Sequence, residues 1–373
     1  MTLKSSLGRN VLILSAVSFL NDASSELIGA LLPLFITELG GGALSVGLLG
    51  GLRDATSNFL KILSGYLSDR FKRKKPFVVA GYGISALFKL LIPFSKTPSQ
   101  VIAFSALERL GKGIRTAPRD AIISLSGEVE KSFSLHRAAD TFGALTGVLL
   151  ALLLTAKLPT REALLVGTLL SLLTVPLLLF LKEPKGTGKE SSTEEEKVKP
   201  QFKKFLLAST LFSFSSISFM FFILRGKEVS GSSTLALLLY ALYNLVYATT
   251  SLLFKNLSER LSTFKALSLG YGLFSLYLLL LGLSSSTSLL ALAGVIFGIS
   301  SGITDPGQRA AVGLLTGKAK RGSAYGLFHF LTGSSLLAGN LLAGWLWEPY
   351  GSLILAFMAL TALTSALLVY RLN

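Results

Sequence analysis

Many of this chain's ionisable residues lie inside long apolar runs, where a soluble protein would not place them. The first run carries Asn21, Asp22 and Glu26, and the two acids are four residues apart, on one face of a helix. The second carries Arg53 and Asp54, and Asp54, Asn58 and Lys61 continue as a stripe at helical spacing. The fourth is the richest, with Glu108, Arg109, Lys112, Arg115, Arg119 and Asp120. At 100° per residue, Glu108, Lys112, Arg115 and Arg119 fall within a sector about 60° wide, which describes a lining. The fifth adds His136, Arg137 and Asp140. Further on, Asp305, Gln308 and Arg309 share the tenth run, and His329 stands in the eleventh.

An ion in lipid costs roughly 3 kcal/mol or more, so such groups face a protein interior or a water-filled path. The chemistry open to them there is proton exchange, ion pairing and the holding of a polar solute. Asp22, Glu26, Arg53, Asp54, Arg109, Lys112, Arg115, Arg119, Arg137 and Asp140 are the candidates for a substrate and proton pathway. Asp22, Glu26 and Asp140 are the acids suited to carry protons. Two other chemistries fit the same side chains. Asp22 and Glu26 could serve as oxygen ligands of a divalent metal, and Arg109, Arg115 and Arg119 could hold an organic anion. Among the residues named in the first, second, fourth and fifth runs, seven bases, histidine aside, stand against six acids. That near-balance points to paired networks, with Glu26 beside Arg53 and Arg119 beside Asp140 as the pairs expected from depth.

Twelve apolar runs must position these groups. They are expected as helices over 10–37, 44–69, 76–95, 99–126, 133–155, 162–181, 205–224, 233–255, 264–284, 288–316, 323–347 and 351–371. The chain is 51% apolar and only 15% charged, against about a quarter charged in soluble domains. An all-α integral membrane protein follows. The net charge of +16 sits mostly in short loops between runs, a mark of membrane topology and not of nucleic-acid binding. Counting those loops puts both termini and the central segment in the cytoplasm, in a multi-pass protein of the cell membrane. The first run lacks a small-residue cleavage site and carries two acids, so it reads as a retained span. With no cysteine, disulfides and thiolate metal sites are excluded.

Residues 182–204 contain Gly186-Thr187-Gly188 and Ser191-Ser192-Thr193-Glu194-Glu195-Glu196, a polar composition that cannot bury a core. This segment is read as a linker between an N-terminal six-helix bundle, 1–181, and a C-terminal one, 205–373. The halves look like repeats. Leu67-Ser68-Asp69-Arg70 recurs as Leu257-Ser258-Glu259-Arg260, and Gly81-Tyr82-Gly83 as Gly270-Tyr271-Gly272. Gly147 aligns with Gly339, and Pro118 and Pro306 both fall in fourth helices. Two pseudo-symmetric six-helix bundles are expected.

The loop from Gly65 to Pro76 carries Asp69, Arg70, Arg73 and further lysines. It resembles the signature loop of the major facilitator superfamily, G-x-x-x-D-R-x-x-R-R/K. Arg109-Leu110-Gly111-Lys112-Gly113 resembles the superfamily's fourth-helix R-x-x-x-G motif, with Lys112 where glutamine is usual and Arg115 where a small residue is common. Gly143-x-x-x-Gly147 resembles the fifth-helix glycine motif of the antiporter branch, which continues with proline where this chain has Val148. Residues 111–120 resemble a prokaryotic subgroup whose substrates are mostly unassigned, with magnetosome-associated members among its relatives. The resemblance implies a twelve-helix transporter whose loop residues Gly65, Asp69, Arg70 and Arg73 gate the movement.

The expectation is a secondary active transporter of a small solute, working by alternating access, coupled to protons, with export ahead of uptake. It is expected to be a monomer in the bilayer, without a cofactor. Alternatives are a divalent-metal exporter, an organic-anion transporter and a non-transporting sensor or assembly protein of the same fold. No Walker sequence is present, and His136 and His329 lie in different halves without metal-ligand spacing. An enzyme is not expected.

Overall fold

In the computed structural model the described residues are 8–70, 74–124, 126, 129–183, 199–316 and 321–372. Side chains are described throughout these except at 61–70, 129–131, 134, 255, 321–323 and 349. The described elements are helices: α1 Arg9–Glu38, α2 Ala43–Arg70, α3 Lys75–Leu91, α4 Pro98–Ser124, α5 Val129–Thr155, α6 Thr160–Leu172, α7 Thr174–Leu179, α8 Gln201–Ser215, α9 Phe219–Ser230, α10 Ser233–Leu261, α11 Thr263–Leu283, α12 Thr287–Leu315 and α13 Arg321–Tyr370. A 3₁₀ turn, Ile92–Phe94, follows α3.

Helices are what an apolar solvent demands, because each closes its own backbone hydrogen bonds. Their ends are marked in the sequence. The side chains of Ser232, Ser262 and Ser286 accept from the amides of Leu235, Lys265 and Leu289 at the starts of α10, α11 and α12. Gly231, at φ 66°, ends α9 in the left-handed conformation that glycine adopts without strain. By length and composition, ten described helical stretches can cross a membrane. α2 and α4, which carry Arg53, Asp54 and the Glu108–Asp120 stripe, are not among them.

Several expected boundaries shift, and three spans change in form or length. The seventh span begins at Gln201 and runs beyond 224 to Ser230, in two pieces, α8 and α9. Pro200 at the N-cap and burial of Phe202 start it early. The sixth is divided at Leu173 into α6 and α7. The last two spans run together as α13, bent at Tyr350 (φ −142°, ψ 32°), which lies in the expected gap.

A side chain from α13 bridges the break between α8 and α9. Asn340 of α13, fully buried, accepts from the Ser218 amide at 2.7 Å. Its Nδ2 donates to the carbonyls of Leu336 at 2.8 Å and Ser216 at 3.4 Å. Interrupted helices are tolerated in membranes where such groups replace the lost ladder.

The chain forms two compact units, Met1–Gly40 with Thr56–Glu190, and Gly41–Ala55 with Ser191–Asn373. In the first, α1 packs along α5 and α6, and α3 along α4. In the second, α8 packs along α13, and α12 along α10 and α11. The first half of α2 groups with this second unit, where Gly47 meets the Asn340 carbonyl and Gly50 meets Ser218. The expected repeats make matching contacts. A Cβ on Gly143 or Gly147 would overlap the α1 carbonyls of Phe19 and Ala23, and one on Gly339 would overlap the α8 carbonyl of Phe214. Glycine there lets backbones touch. In contrast, Gly83 and its counterpart Gly272 both face open space.

Candidate functional site

The ionisable residues of the first unit gather on the contacts of α1 with α5 and α3, and of α3 with α4. Asp140, Gly143 and Gly147 lie on one face of α5, so the glycine contact with α1 also brings the Asp140 carboxylate inward. Ser18 of α1 donates to Asp140 Oδ1 at 2.5 Å. His136, one turn earlier and 2% exposed, places Nε2 3.7 Å from the same oxygen. Asp22, one turn beyond Ser18, is half-buried and also acts electrostatically on Asp140. Its Oδ1 accepts from Asn21 Nδ2 at 3.1 Å.

A residue outside the expected set completes this face. Lys89 of α3 is 1% exposed. Its Nζ stands 2.9 Å from Ser25 Oγ, 3.2 Å from Ser24 Oγ, 3.2 Å from Asn21 Oδ1 and 3.4 Å from the Asn21 carbonyl. Lys89 therefore reaches Asp22 through Asn21, which accepts from the lysine and donates to the acid. The signal was present in the sequence, since Lys89 is the one basic residue deep inside the third apolar run.

The α4 stripe divides. Glu108 and Arg115 are buried, whereas Lys112 and Arg119 are half-buried. Glu108 Oε2 meets Arg109 Nε at 3.2 Å. Arg115 turns toward α3, with NH1 2.6 Å from Ser85 Oγ and 3.5 Å from the Gly81 carbonyl. Its guanidinium lies 4.1 Å over the Tyr82 ring, a cation–π contact in dry surroundings. The reason is local: α3 and α4 cross at Gly81 and Gly111, and Arg115 is one turn past that crossing. Arg119 grips Asp120 through Nε at 2.9 Å and NH2 at 2.8 Å. The Asp140 carboxylate acts on it as a second charge. Three of the arginines that an anion site would use are thus already committed to neighbouring groups.

The other expected residues are placed as follows. Glu26 is half-buried on α1, and Arg137 is exposed on α5. Arg53, buried, and Asp54, half-buried, lie on the part of α2 that groups with the second unit. The side chains of Lys61, Gly65, Asp69 and Arg70, and the whole of Arg73, fall outside the described residues. Among the described residues no group of three or more His, Asp or Glu side chains converges as metal ligands.

The second unit is aromatic where the first is charged. Tyr271, counterpart of Tyr82, stacks on Phe212 at 3.7 Å. Its hydroxyl accepts from Gln308 at 2.8 Å and lies 3.3 Å from Ser209 Oγ. Phe212, Phe221 and Phe222 are buried and pack the interior of this unit. Tyr247 of α10 donates to Asp305 of α12 at 3.0 Å.

Charged pairs in the first unit of membrane-length helices and matched glycine contacts in both units are thus the features of the chain that comparison with known proteins can be set beside. The family model of the Major Facilitator Superfamily matches residues 14–225 and 205–373. A Methanocaldococcus jannaschii protein, "Uncharacterized MFS-type transporter MJ1317", is 39% identical over 376 residues, which are 97% of this chain and 94% of that protein. The crystal structure of the nucleoside transporter NupG superposes with a TM-score of 0.80 at 16% identity, over 98% of this chain and 99% of that one. A POT family transporter in complex with 5-aminolevulinic acid gives 0.81 at 14% identity, over 98% and 96%. The sequence match and the twelve-helix fold agree: the chain belongs to the major facilitator superfamily of transporters.

Proposed function

We propose that this transporter is a proton-coupled secondary carrier that moves a small solute by alternating access, with export as its direction. The observation that carries the reading is the chain of polar contacts from Lys89 through Asn21 to Asp22, with Asp140 held by Ser18 on the same helix. Acids inside a membrane domain, hydrogen-bonded to neutral groups, are suited to gain and lose protons as water reaches them. Asp22, Glu26 and Asp140 are the proton carriers, and Arg53, Asp54, Arg109, Lys112, Arg115, Arg119 and Arg137 set their electrostatic surroundings. Export rests on Gly143 and Gly147, which touch α1 and resemble the glycine motif of the antiporter branch, with Val148 standing where that motif has proline. Gly65, Asp69, Arg70 and Arg73 gate the movement. The protein works as a monomer in the cytoplasmic membrane, with both termini and the linker between α7 and α8 in the cytoplasm.

The test is a thermal-shift screen of small solutes on purified protein at several pH values. Hits are then followed in proteoliposomes under an imposed pH gradient. Flux that follows the gradient and fails in Asp22→Asn supports the reading. Flux indifferent to the gradient removes the proton, and absence of flux for every stabilising solute removes the transport role.

A further inference from the structure

The second unit contains one charged cluster that packing does not explain. Asp305 and Arg309 lie one turn apart on α12, with Arg309 NH2 3.8 Å from Asp305 Oδ2. Both side chains are more than half exposed, at 52% and 54%. Asp305 sits four residues from the midpoint of α12, about 6 Å along the axis, so its depth is near the centre of the bilayer. Charged groups at that depth do not face lipid; their exposure marks an aqueous path. Tyr247, at the middle of α10, donates to Asp305 Oδ2 at 3.0 Å and fixes the carboxylate. Asp305 Oδ1 accepts no hydrogen bond among the described residues.

An aromatic ladder leads to this pair. Tyr243 stands one turn from Tyr247, their rings 6.2 Å apart and 15° from parallel. Tyr243 is itself held by Phe297 of α12, stacked at 4.2 Å. The two tyrosine rings are only partly buried, and their rigidity makes them cheap to order around a ligand.

We propose that Tyr243, Tyr247, Asp305 and Arg309 form a solute-binding subsite for a neutral planar ring that carries a hydrogen-bond donor beside an acceptor, as a cyclic amide does. The charge argument selects neutrality. Asp305 and Arg309 together carry no net charge, so a cation gains at the carboxylate and loses at the guanidinium, and an anion the reverse. A neutral amide edge gains at both: its N–H donates to Asp305 Oδ1, and its carbonyl accepts from Arg309. The ring then lies against the tyrosine faces. This rests on the transport reading above and names the substrate class for it.

Purified full-length protein is titrated calorimetrically with three probes: uracil, benzyltrimethylammonium and benzoate. Uracil is expected to bind and to raise the unfolding temperature. Asp305→Asn should weaken it at least tenfold, because the new amide presents a donor in place of one acceptor. Tyr243→Leu should weaken it similarly by removing the stacking face. Where Asp305→Asn does not fold, Tyr247→Phe, which keeps the ring and releases the carboxylate, is expected to weaken binding several-fold. Preferential binding of either charged probe, binding of uracil that survives all three variants, or no binding of uracil overturns the proposal. The two readings separate cleanly. Gradient-driven flux of another solute without uracil binding leaves the carrier and removes the subsite, and uracil binding without any flux does the opposite.

Discussion

The ammonium of Lys89 on α3 and the side chain of Asn21 on α1 are 3.2 Å apart, and both residues are buried away from solvent. A lysine placed this deep, held by neutral oxygens, makes two opposing contributions to stability. Its hydrogen bonds stabilise by about 0.6 kcal/mol each in a membrane interior. Burying the charge costs several kcal/mol. The two largely offset, so Lys89→Met should fold with an unfolding temperature within a few degrees of the wild type. Transport should nevertheless fall at least tenfold, because Asn21 loses the group that orients it toward Asp22. The measurement is paired differential scanning fluorimetry and proteoliposome flux. Unimpaired flux would show that Lys89 only ties α1 to α3.

Gly147 and Gly83 provide a matched pair. A methyl on Gly147 would strike the Ala23 carbonyl, whereas one on Gly83 meets nothing within 4 Å. Gly147→Ala is expected to destabilise by about 1–3 kcal/mol, since close-packed backbones cannot give way. Gly83→Ala should be neutral or slightly stabilising through helix propensity. Gly339→Ala, striking the Phe214 carbonyl, should behave like Gly147→Ala. Equal effects at 83 and 147 in thermal unfolding would contradict the contact.

These contacts show where the sequence was legible. Gly147 and Gly339 already align between the two halves in the sequence, and apolar length located the spans to within a few residues. Side-chain partners were not legible. Depth alone suggested Arg119 with Asp140, yet Arg119 binds its neighbour Asp120, while Asp140 takes a hydroxyl from Ser18. The α4 stripe looked like a lining because a helical wheel shows direction but not what stands opposite. Only the crossing of α3 at Gly111 reveals that Arg115 faces Tyr82 and Ser85. The interruption at Ser216–Ser218 had no signal in composition, since its cause, Asn340, is more than a hundred residues away.

That distant asparagine supports a further expectation. Asn340→Leu keeps volume but leaves the Ser218 amide and Ser216 carbonyl unanswered in a dry environment. Each orphaned group costs about 1–3 kcal/mol, so a marked loss of stability is expected. Asn340→Asp keeps the acceptor for Ser218 but turns a carboxyl oxygen on the Leu336 and Ser216 carbonyls, so it should lose at least as much. Thermal unfolding and protease sensitivity of the two variants give the ranking, and a leucine variant as stable as the wild type would mean that the break is held by something else.

Ser18 and Asp140 offer the sharpest test of coupling. The hydroxyl donates to the carboxylate at 2.5 Å, so Ser18 stabilises the charged acid without adding charge. Ser18→Ala removes one donor and leaves the acid in place. Asp140→Asn removes the exchangeable proton altogether. If Asp140 carries a coupled proton, Asp140→Asn should abolish flux driven by a pH gradient while solute exchange at equal pH continues, because exchange needs no net proton movement. Ser18→Ala should keep both activities and displace the pH at which driven flux is half-maximal, since the acid then binds its proton more tightly. The sign is fixed by the donor: losing it disfavours the carboxylate, so the half-maximal pH moves upward. Loss of exchange and driven flux together in Asp140→Asn would make the residue a structural or solute-binding group instead of a proton carrier.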